Sequence, residues 1–395
     1  MRFRVNLGKS IESKTCSQNQ FHRKNKLLSM QTLKLLATKK PIIRTPTTQK
    51  TMIFPLSTTV AATTSAACAA SDSALAQARA LQMPSREEML RRDSKVYRFW
   101  DANEKLLETA WKEWQVNDKQ ALALPKLDSS LIHPELRAAV EAVWENPTES
   151  NERALKNLWK EVSPGVYDIP FFDMDKIHIV RQWFDQAADA GIPTRPPYGI
   201  VLNRKGFMID PRSVGYLAAP DFQTWYRDLV DTYVRPLGRL FFPEAILPND
   251  DSETFAFSIQ YQGQEGGDKS IRPHSDASTI TFNINLDEEK TWTGSSLIFY
   301  NGGGDNRHVE WAPGHAVMHL GRKMHAAVPI ESGTRSNLVI WTMGKGGGMG
   351  YGSSNSPMAG DNGEYPEVYR LSPEQRWVKP EEQPPTQYLD RWSPF

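Results

Sequence analysis

Cysteine is nearly absent from this sequence of 395 residues, and both examples, Cys16 and Cys68, stand within the first 70 positions. The rest of the chain therefore contains no disulfide, no zinc–thiolate site and no cysteine nucleophile. Long hydrophobic runs are also missing. Because a membrane-spanning helix needs about 18 consecutive apolar residues, the sequence predicts no transmembrane segment.

Acidic residues are scarce at the amino-terminal end. Residues 1–70 hold 12 Lys and Arg but a single acid, Glu12, whereas the remaining 325 residues hold 35 basic and 45 acidic side chains. The mildly acidic body indicates no nucleic-acid partner. The basic, Ser/Thr-rich residues 1–80 are typical of a mitochondrial or plastid presequence, and the run from Met52 is similar to a secretory signal. A disordered tail of a cytoplasmic protein and an incorrect start codon are the alternatives.

A helical segment is predicted over residues 85–163. It begins with "SREEMLRRDSKVYRFW", in which Ser85 and Glu88 have the spacing of a capping box. Apolar residues then recur at helical period, and two shorter helices are expected near 133–144 and 149–161. No polar side chains converge in this segment, so we interpret it as a packing or partner-docking element.

Short strands dominate the next segment, residues 164–345. A strand is predicted at 165–173, then a helix, another strand near 198–209, and a helix at 221–241 that Pro236 should bend or break. From residue 254 to residue 343, six short β runs are separated by Gly, Asp, Asn and Pro, which indicates a sandwich or barrel. Residues 346–395 form a Gly/Pro-rich tail.

A histidine two positions before an acid occurs three times, at His133–Glu135, His274–Asp276 and His308–Glu310. The first pair stands at a predicted helix start, where a surface location is expected. Non-haem Fe(II) oxygenases bind iron with two histidines and one carboxylate on one face. Because alternate residues of a strand project to the same side, a pair at the start of a strand supplies two such ligands.

The third ligand must come from farther along the chain, where His308, His315, His319 and His325 are the candidates. His325 lies ten residues before Arg335, with a glycine-containing turn between them. This spacing predicts two neighbouring strands, with the arginine deeper in the cavity than the metal. A dicarboxylate such as 2-oxoglutarate needs that arrangement, since one end chelates iron and the other pairs with a guanidinium. His319 is the rival ligand.

The stretch that follows the first pair alternates strictly in polarity. Its apolar residues share one parity: Ile280, Phe282, Ile284 and Leu286. Its polar residues share the other: Thr279, Thr281, Asn283 and Asn285. A polar face directly after the metal pair indicates a strand that lines a wet cavity.

With these residues in place, the chain resembles the 2-oxoglutarate/Fe(II) oxygenases of the prolyl and lysyl hydroxylase type, and in particular the procollagen lysyl hydroxylases. The resemblance covers roughly residues 165–345. The stretches that carry it are "GVYDIPFF", "FSIQYQ…SIRPHSDASTITFNINL" and "GRKMHAAVPIESGTR". It implies an α+β fold, a double-stranded β-helix (jelly-roll) core flanked by helices and preceded by the helical segment.

The resemblance also implies roles for individual residues. Iron would be bound by His274, Asp276 and His325. The cosubstrate 2-oxoglutarate would be bound by Arg335, with help from Asn283 and Tyr261. The chain lacks the cysteines and the long glycosyltransferase region of the secretory lysyl hydroxylases, so collagen and the endoplasmic reticulum are not implied.

The predicted function is that of a dioxygenase that hydroxylates a C–H bond with Fe(II), 2-oxoglutarate and O2, with ascorbate as a reductant. A lysyl or prolyl side chain of a protein is the first substrate candidate, and a small metabolite is the second. A non-catalytic, metal-binding β-barrel is the alternative from another class. A zinc hydrolase is a further one, although it has no use for Arg335. The sequence gives no indication of the oligomeric state.

Overall fold

A computed structural model of the chain describes residues 73–91, 93–197, 206–243, 245, 254–342 and 372–379, all within one compact unit. The predicted presequence lies outside the described residues as far as residue 72. The same holds for most of the strand predicted at 198–209 and for most of the carboxy-terminal tail. Among the described helices, none combines the length and the apolar composition needed to cross a membrane.

Within the described ranges the chain forms ten α-helices. Those of the amino-terminal half are α1 (Ala74–Arg79), α2 (Arg86–Leu90), α3 (Ser94–Asn117), α4 (Lys119–Leu122), α5 (Pro134–Glu145) and α6 (Glu149–Lys156). The others are α7 (Ile177–Asp189), α8 (Pro220–Leu229), α9 (Arg235–Phe241) and α10 (Pro373–Arg376). The helical segment expected over residues 85–163 is present as far as Lys156, and Ser85 and Glu88 form the predicted capping box at its start. Its last residues differ from the prediction, since Lys160–Ser163 form a strand.

The described residues also form twelve strands. The first six are β1 (Lys160–Ser163), β2 (Val166–Pro170), β3 (Thr254–Gln262), β4 (Ile271–His274), β5 (Ile280–Asn285) and β6 (Thr293–Gly294). The last six are β7 (Leu297–Tyr300), β8 (Asn306–Val309), β9 (His315–Leu320), β10 (His325–Ala327), β11 (Ile330–Ser332) and β12 (Thr334–Thr342). Each of the six runs predicted between residues 254 and 343 contributes to one of these strands.

The strands build two main antiparallel sheets. The larger has the order β1-β2-β9-β5-β12-β3, the smaller has the order β4-β10-β7-β8, and β6 pairs with β11 beside them. From β3 onward the chain passes back and forth between the two main sheets, since β3, β5, β9 and β12 lie in the large sheet and β4, β7, β8 and β10 lie in the small one. This is the double-stranded β-helix that the sequence predicted, and the fold class is confirmed.

The two faces of the large sheet have different neighbours. On its outer face, residues such as Phe282 and Ile340 share one hydrophobic core with the helices, including Trp111 and Trp114 of α3. Its inner face packs toward the small sheet in a second core. The alternation read from β5 is confirmed, because its four apolar residues face the helices and are at most 1% exposed. The polar face of β5 therefore lines the barrel interior.

The helix predicted at 221–241 does not break at Pro236 but continues through it, with an irregular turn just before it. A π-helical turn over Val230–Val234 separates α8 from α9, and Pro236 is the second residue of α9. Proline has no N–H to donate to the carbonyl four residues earlier, which is that of Thr232. The indole N–H of Trp144 donates to this carbonyl instead, at 3.0 Å. The Thr232 carbonyl that Pro236 leaves without a helical donor therefore helps to dock α5 onto this helix.

Both ends of the described region are tied to its body. In α1, which lies at the end of the predicted presequence, Ala78 is fully buried and Arg79 donates to the Ala190 carbonyl at 2.8 Å. In the carboxy-terminal piece, Arg376 forms two hydrogen bonds of 2.7 and 2.6 Å with the buried carboxylate of Glu152. The division of the chain into four segments stays a prediction, but residues 73–80 and 372–379 pack as parts of the body.

One stability prediction follows from an ion pair between α7 and the sheet. Arg181 donates to Asp287 at 2.8 Å, and the Asp287 side chain is 8% exposed. Changing Arg181 to Met should lower the free energy of unfolding by about 1–3 kcal/mol, because it leaves a buried carboxylate with fewer donors. Arg86→Met is the matched control, since Arg86 pairs with Asp268 but is 53% exposed, and its effect should stay within about 0.5 kcal/mol. Urea denaturation measures both, and equal effects would contradict the prediction.

Candidate metal centre and its arginine pocket

Two histidines of the candidate site are neighbours in the small sheet. His274 is the last residue of β4 and His325 is the first residue of β10, and the two are paired across the strands with ring centroids 4.4 Å apart. Asp276 follows in the loop between β4 and β5. The sequence prediction that this pair opens a strand is wrong: the pair ends β4, because the chain turns there from the small sheet to the large one.

The loop that carries Asp276 is held from both sides. The Asp276 N–H donates to the Gly321 carbonyl at 2.9 Å, and the Thr281 hydroxyl of β5 donates to Oδ2 of Asp276 at 2.6 Å. Gly321 permits this approach, since a Cβ there would collide with the Ser278 backbone. The carboxylate is therefore positioned by the start of β5 and by the turn after β9.

The three side chains present their ligand atoms to one another. One ligand atom from each of His274, Asp276 and His325 lies within 4.8 Å of the others. Oδ1 of Asp276 is 3.5 Å from Nε2 of His274 and 3.8 Å from Nε2 of His325. Nitrogen and oxygen ligands lie roughly 2.0–2.2 Å from a divalent ion such as zinc, so one ion fits between atoms at these separations.

Hydrogen bonds to the backbone fix which ring nitrogen faces the centre. Nδ1 of His274 lies 2.9 Å from the Arg272 carbonyl, and Nδ1 of His325 lies 2.9 Å from the Lys323 carbonyl. A carbonyl oxygen only accepts, so both Nδ1 atoms carry the hydrogen and both Nε2 lone pairs point inward. Two imidazoles and one carboxylate in this state are the donor set of the facial Fe(II) sites.

The charges of the centre also suit a cation. Burial alone would raise the pKa of Asp276, but the nearby His325, His274 and His319 hold it well below its ordinary value. Burial lowers the pKa of His325, so this ring is neutral at neutral pH. Burial lowers the pKa of His274, but the hydrogen bond and the charge of Asp276 outweigh it and raise this pKa above its ordinary value, so a cation that binds here would displace a proton from that ring.

The other candidate histidines lie elsewhere. His308 is exposed on β8, and His315 bonds through Nδ1 to Asp168 at 3.0 Å. His319 is fully buried behind the centre, with Nε2 4.0 Å from Oδ2 of Asp276. His319 is not part of the mutually close set, so the structure brings His325, and not its rival, together with the first pair.

Arg335 is 1% exposed and points into the barrel from β12. Its Nε donates to the Ser295 hydroxyl at 3.0 Å and its Nη1 donates to Oδ1 of Asn337 at 2.6 Å. Its Nη2 is buried and has no hydrogen-bond partner among the described residues. Burial lowers the pKa of Arg335 to about 10, so the guanidinium stays charged at neutral pH. A buried N–H without an acceptor is costly, and a ligand carboxylate would remove that cost.

Aromatic rings enclose this guanidinium. The Tyr261 ring centroid lies 4.3 Å from the Arg335 Cζ, and the Trp311 centroid lies 4.8 Å from it. Tyr261 faces Arg335 directly across β3 and β12. Burial raises the pKa of Tyr261 to about 12, so its hydroxyl keeps its proton and can donate. The rings desolvate the charge, which strengthens any pairing with a carboxylate.

Asn283 reaches the arginine through a second amide. Its Oδ1 accepts from Nδ2 of Asn337 at 2.7 Å, and Asn337 in turn accepts from Arg335. The structure thus places Asn283 beside the pocket and inserts Asn337 between it and the guanidinium. Asn337 has the same parity as Arg335 along β12, which is a signal that could have identified it from the sequence. Ser295 and Trp311 carry no such signal, since other strands bring them to the site.

The path from His325 to Arg335 differs from the sequence prediction. The two residues do not lie on neighbouring strands, because β10 belongs to the small sheet and β12 to the large one. The short strand β11 stands between them and pairs with β6. The turn at Gly333, where φ is +75°, then leads into β12. The two side chains therefore come from opposite sheets.

The fold and the site together define a class, the double-stranded β-helix proteins with a His-x-Asp…His set and a buried arginine, and the chain is similar in sequence to 2-oxoglutarate and iron-dependent oxygenases. No family model matches. It is 29% identical over 226 residues to 2-oxoglutarate and iron-dependent oxygenase domain-containing protein 2 of Xenopus tropicalis, covering 54% of this chain and 59% of that protein. The Danio rerio protein of the same name is 30% identical, with 54% and 60% covered.

The resemblance to lysyl hydroxylases is confirmed as well. Procollagen-lysine,2-oxoglutarate 5-dioxygenase 1 of Gallus gallus is 26% identical, with 54% of this chain and 29% of that protein covered. The chain spans less than two thirds of the length of the relatives it matches. Among solved structures, it is similar to a Pseudomonas putida prolyl-4-hydroxylase at 15% identity, with 56% and 96% covered and a TM-score of 0.33.

Proposed function

We propose that this protein is an Fe(II)- and 2-oxoglutarate-dependent dioxygenase that hydroxylates a C–H bond. The observation that carries the proposal is the pairing of two features inside one barrel. The ligand atoms of two imidazoles and a carboxylate converge, and Arg335 presents a buried N–H that has no acceptor among the described residues. A zinc hydrolase would use the first feature and would have no use for the second.

Each residue has a role in this proposal. His274, Asp276 and His325 would hold the iron, and Arg335 would pair with the distal carboxylate of 2-oxoglutarate. Tyr261 can donate its phenolic O–H to the same carboxylate. Asn283 would act through Asn337, which keeps the guanidinium fork in one orientation. The aromatic walls exclude water, so that the cosubstrate binds in one pose.

When bound, the iron would supply the oxidative chemistry that no side chain can perform. The balanced reaction converts a C–H, O2 and 2-oxoglutarate into a C–OH, succinate and CO2. Both oxygen atoms are accounted for, one in the alcohol and one in succinate. Ascorbate would serve to return iron to the Fe(II) state after uncoupled turnovers. The protein contributes ligand geometry, cosubstrate orientation and a guarded cavity.

For the substrate we propose a lysyl or prolyl side chain of a protein. The support is the similarity to a protein whose name specifies procollagen lysine. A small metabolite is the other candidate. An untargeted search for products that gain the mass of one oxygen atom, in peptide and metabolite pools, would separate them.

The activity predicts a specific optical signature. Anaerobic protein that receives Fe(II) and then 2-oxoglutarate should develop a weak visible charge-transfer band, and admission of air should produce succinate. Zn²⁺, which has a filled d shell, should give neither. The matched control is His325→Ala, which should show neither signal. If the unaltered protein lacks both the band and succinate, the oxygenase proposal fails and a non-catalytic metal-binding barrel replaces it.

A further inference from the structure

The third histidine beside the centre, His319, is held in the same way as the two candidate ligands, with Nδ1 on a backbone carbonyl. Its Nδ1 lies 2.9 Å from the Leu320 carbonyl, so Nδ1 carries the hydrogen and Nε2 presents a lone pair. The side chain is fully buried on β9. Its ring packs edge-on against His325, with centroids 4.8 Å apart. His319 is therefore held in one orientation by its own backbone and by a candidate ligand.

The lone pair of His319 faces the side of Asp276 that is turned away from the other histidines. Nε2 of His319 lies 4.0 Å from Oδ2, whereas His274 and His325 approach Oδ1. Among the described residues, Nε2 of His319 has no hydrogen-bond partner. Nε2 of His319 is thus a fully buried acceptor that lacks a donor within these residues and lies beside a carboxylate oxygen.

One donor already serves Oδ2. The Thr281 hydroxyl donates to it at 2.6 Å and accepts a hydrogen bond of 2.7 Å from the Ser278 hydroxyl. A carboxylate oxygen accepts more than one hydrogen bond, so Oδ2 can take a second. Two acceptors cannot bond each other directly, and a separation of 4.0 Å suits one bridging water that donates to both. A buried water needs polar partners such as these.

We propose that a water molecule donates to both Nε2 of His319 and Oδ2 of Asp276, and that His319 is a positioning residue for the metal centre. This inference rests on the metal site of the proposed function. With Thr281 and the water occupying Oδ2, only Oδ1 is free to bind a cation, so Asp276 binds through one oxygen. Monodentate binding keeps positions open for a cosubstrate, as the facial site requires. The edge-on packing on His325 holds that ring at the same time.

Two amide substitutions test the proposal as a matched pair. His319→Asn keeps a donor near the Nδ1 position, toward the Leu320 carbonyl, and removes the acceptor at the Nε2 position. His319→Gln is longer by one methylene and returns an amide oxygen to the Nε2 position. Calorimetric titration of the metal-free full chain with Mn(II) should show binding about 10–100-fold weaker for the Asn variant, the usual effect of losing an outer-shell partner. The Gln variant should recover most of that loss.

Pulsed EPR of the Cu(II)-loaded protein distinguishes a positioning residue from a metal ligand. The unaltered protein and both variants should show two coordinated imidazoles. A third imidazole in the unaltered protein would make His319 a ligand and overturn the proposal. Equal Mn(II) affinities for the Asn and Gln variants, at any level, would also overturn it. If the unaltered protein binds no Mn(II), the proposed metal site itself fails, which is a distinguishable result.

Discussion

Changing His325 to Ala is expected to abolish metal binding. His325 supplies one of only three ligand atoms in the mutually close set, and it is paired with His274 at the start of β10. Its loss should weaken Mn(II) or Fe(II) affinity by more than the about 10–100-fold typical of an outer-shell residue. Asp276→Ala should have an equally large effect, since it removes the one carboxylate that the described residues contribute to this set.

The chain offers a control for this experiment. His308→Ala alters an exposed histidine of the same small sheet, near Ser296, and should leave metal affinity unchanged. Calorimetric titration with Mn(II) and the iron content after anaerobic reconstitution measure all three variants. The loss of metal affinity should be largest for the His325 and Asp276 variants, smaller for the His319 amide variants and absent for His308→Ala. Retained binding in His325→Ala would mean that another residue supplies the third ligand.

Replacing Arg335 with Met should remove 2-oxoglutarate binding and spare the metal. The methionine fills much of the same volume but provides no N–H and no charge. Loss of a buried charge pair costs about 2–5 kcal/mol, which corresponds to an affinity at least about 30-fold weaker. Arg335→Lys keeps the charge but loses the planar fork, so an intermediate loss is expected. Titration of the Mn(II)-loaded protein with 2-oxoglutarate measures these affinities.

The metal affinity of the same variants distinguishes a cosubstrate-binding role of Arg335 from a structural one. Arg335 lies among Ser295, Asn337, Tyr261 and Trp311, on the large sheet, whereas the two histidine ligands lie on the small sheet. Mn(II) binding should therefore remain close to that of the unaltered protein. A parallel loss of Mn(II) and 2-oxoglutarate binding would instead make Arg335 a structural residue of the barrel.

Local patterns in the sequence determined a large part of the fold. The alternation in β5 assigned each side chain to the helix side or the barrel interior, and every assignment of its apolar residues is confirmed. The capping box at Ser85 was also predictable, whereas the break expected at Pro236 is only a π-helical turn in a continuous helix. Each of these features depends on a few neighbouring residues. Side-chain direction in a strand follows a fixed period, and a capping box or a proline acts within one turn of helix.

Those local patterns did not predict which distant strands pair with one another. The spacing from His325 to Arg335 indicated two adjacent strands, but the chain passes through β11 and changes sheets between them. The pair His274–Asp276 indicated a strand start, but β4 ends there. A count of residues gives the length of a connection and does not specify which sheet the next strand joins.

The sequence by itself determined the class of fold and the identity of the candidate ligands. It also identified Arg335 as the candidate partner for the carboxylate of a cosubstrate. Only the tertiary structure decided how these groups are supported. It brought Ser295 and Trp311 to Arg335, inserted Asn337 between Arg335 and Asn283, and turned Nε2 of His319 toward Oδ2 of Asp276. The physical reason is that ligand types and periodicity are local properties, whereas hydrogen-bond partners are selected by which strands pack together.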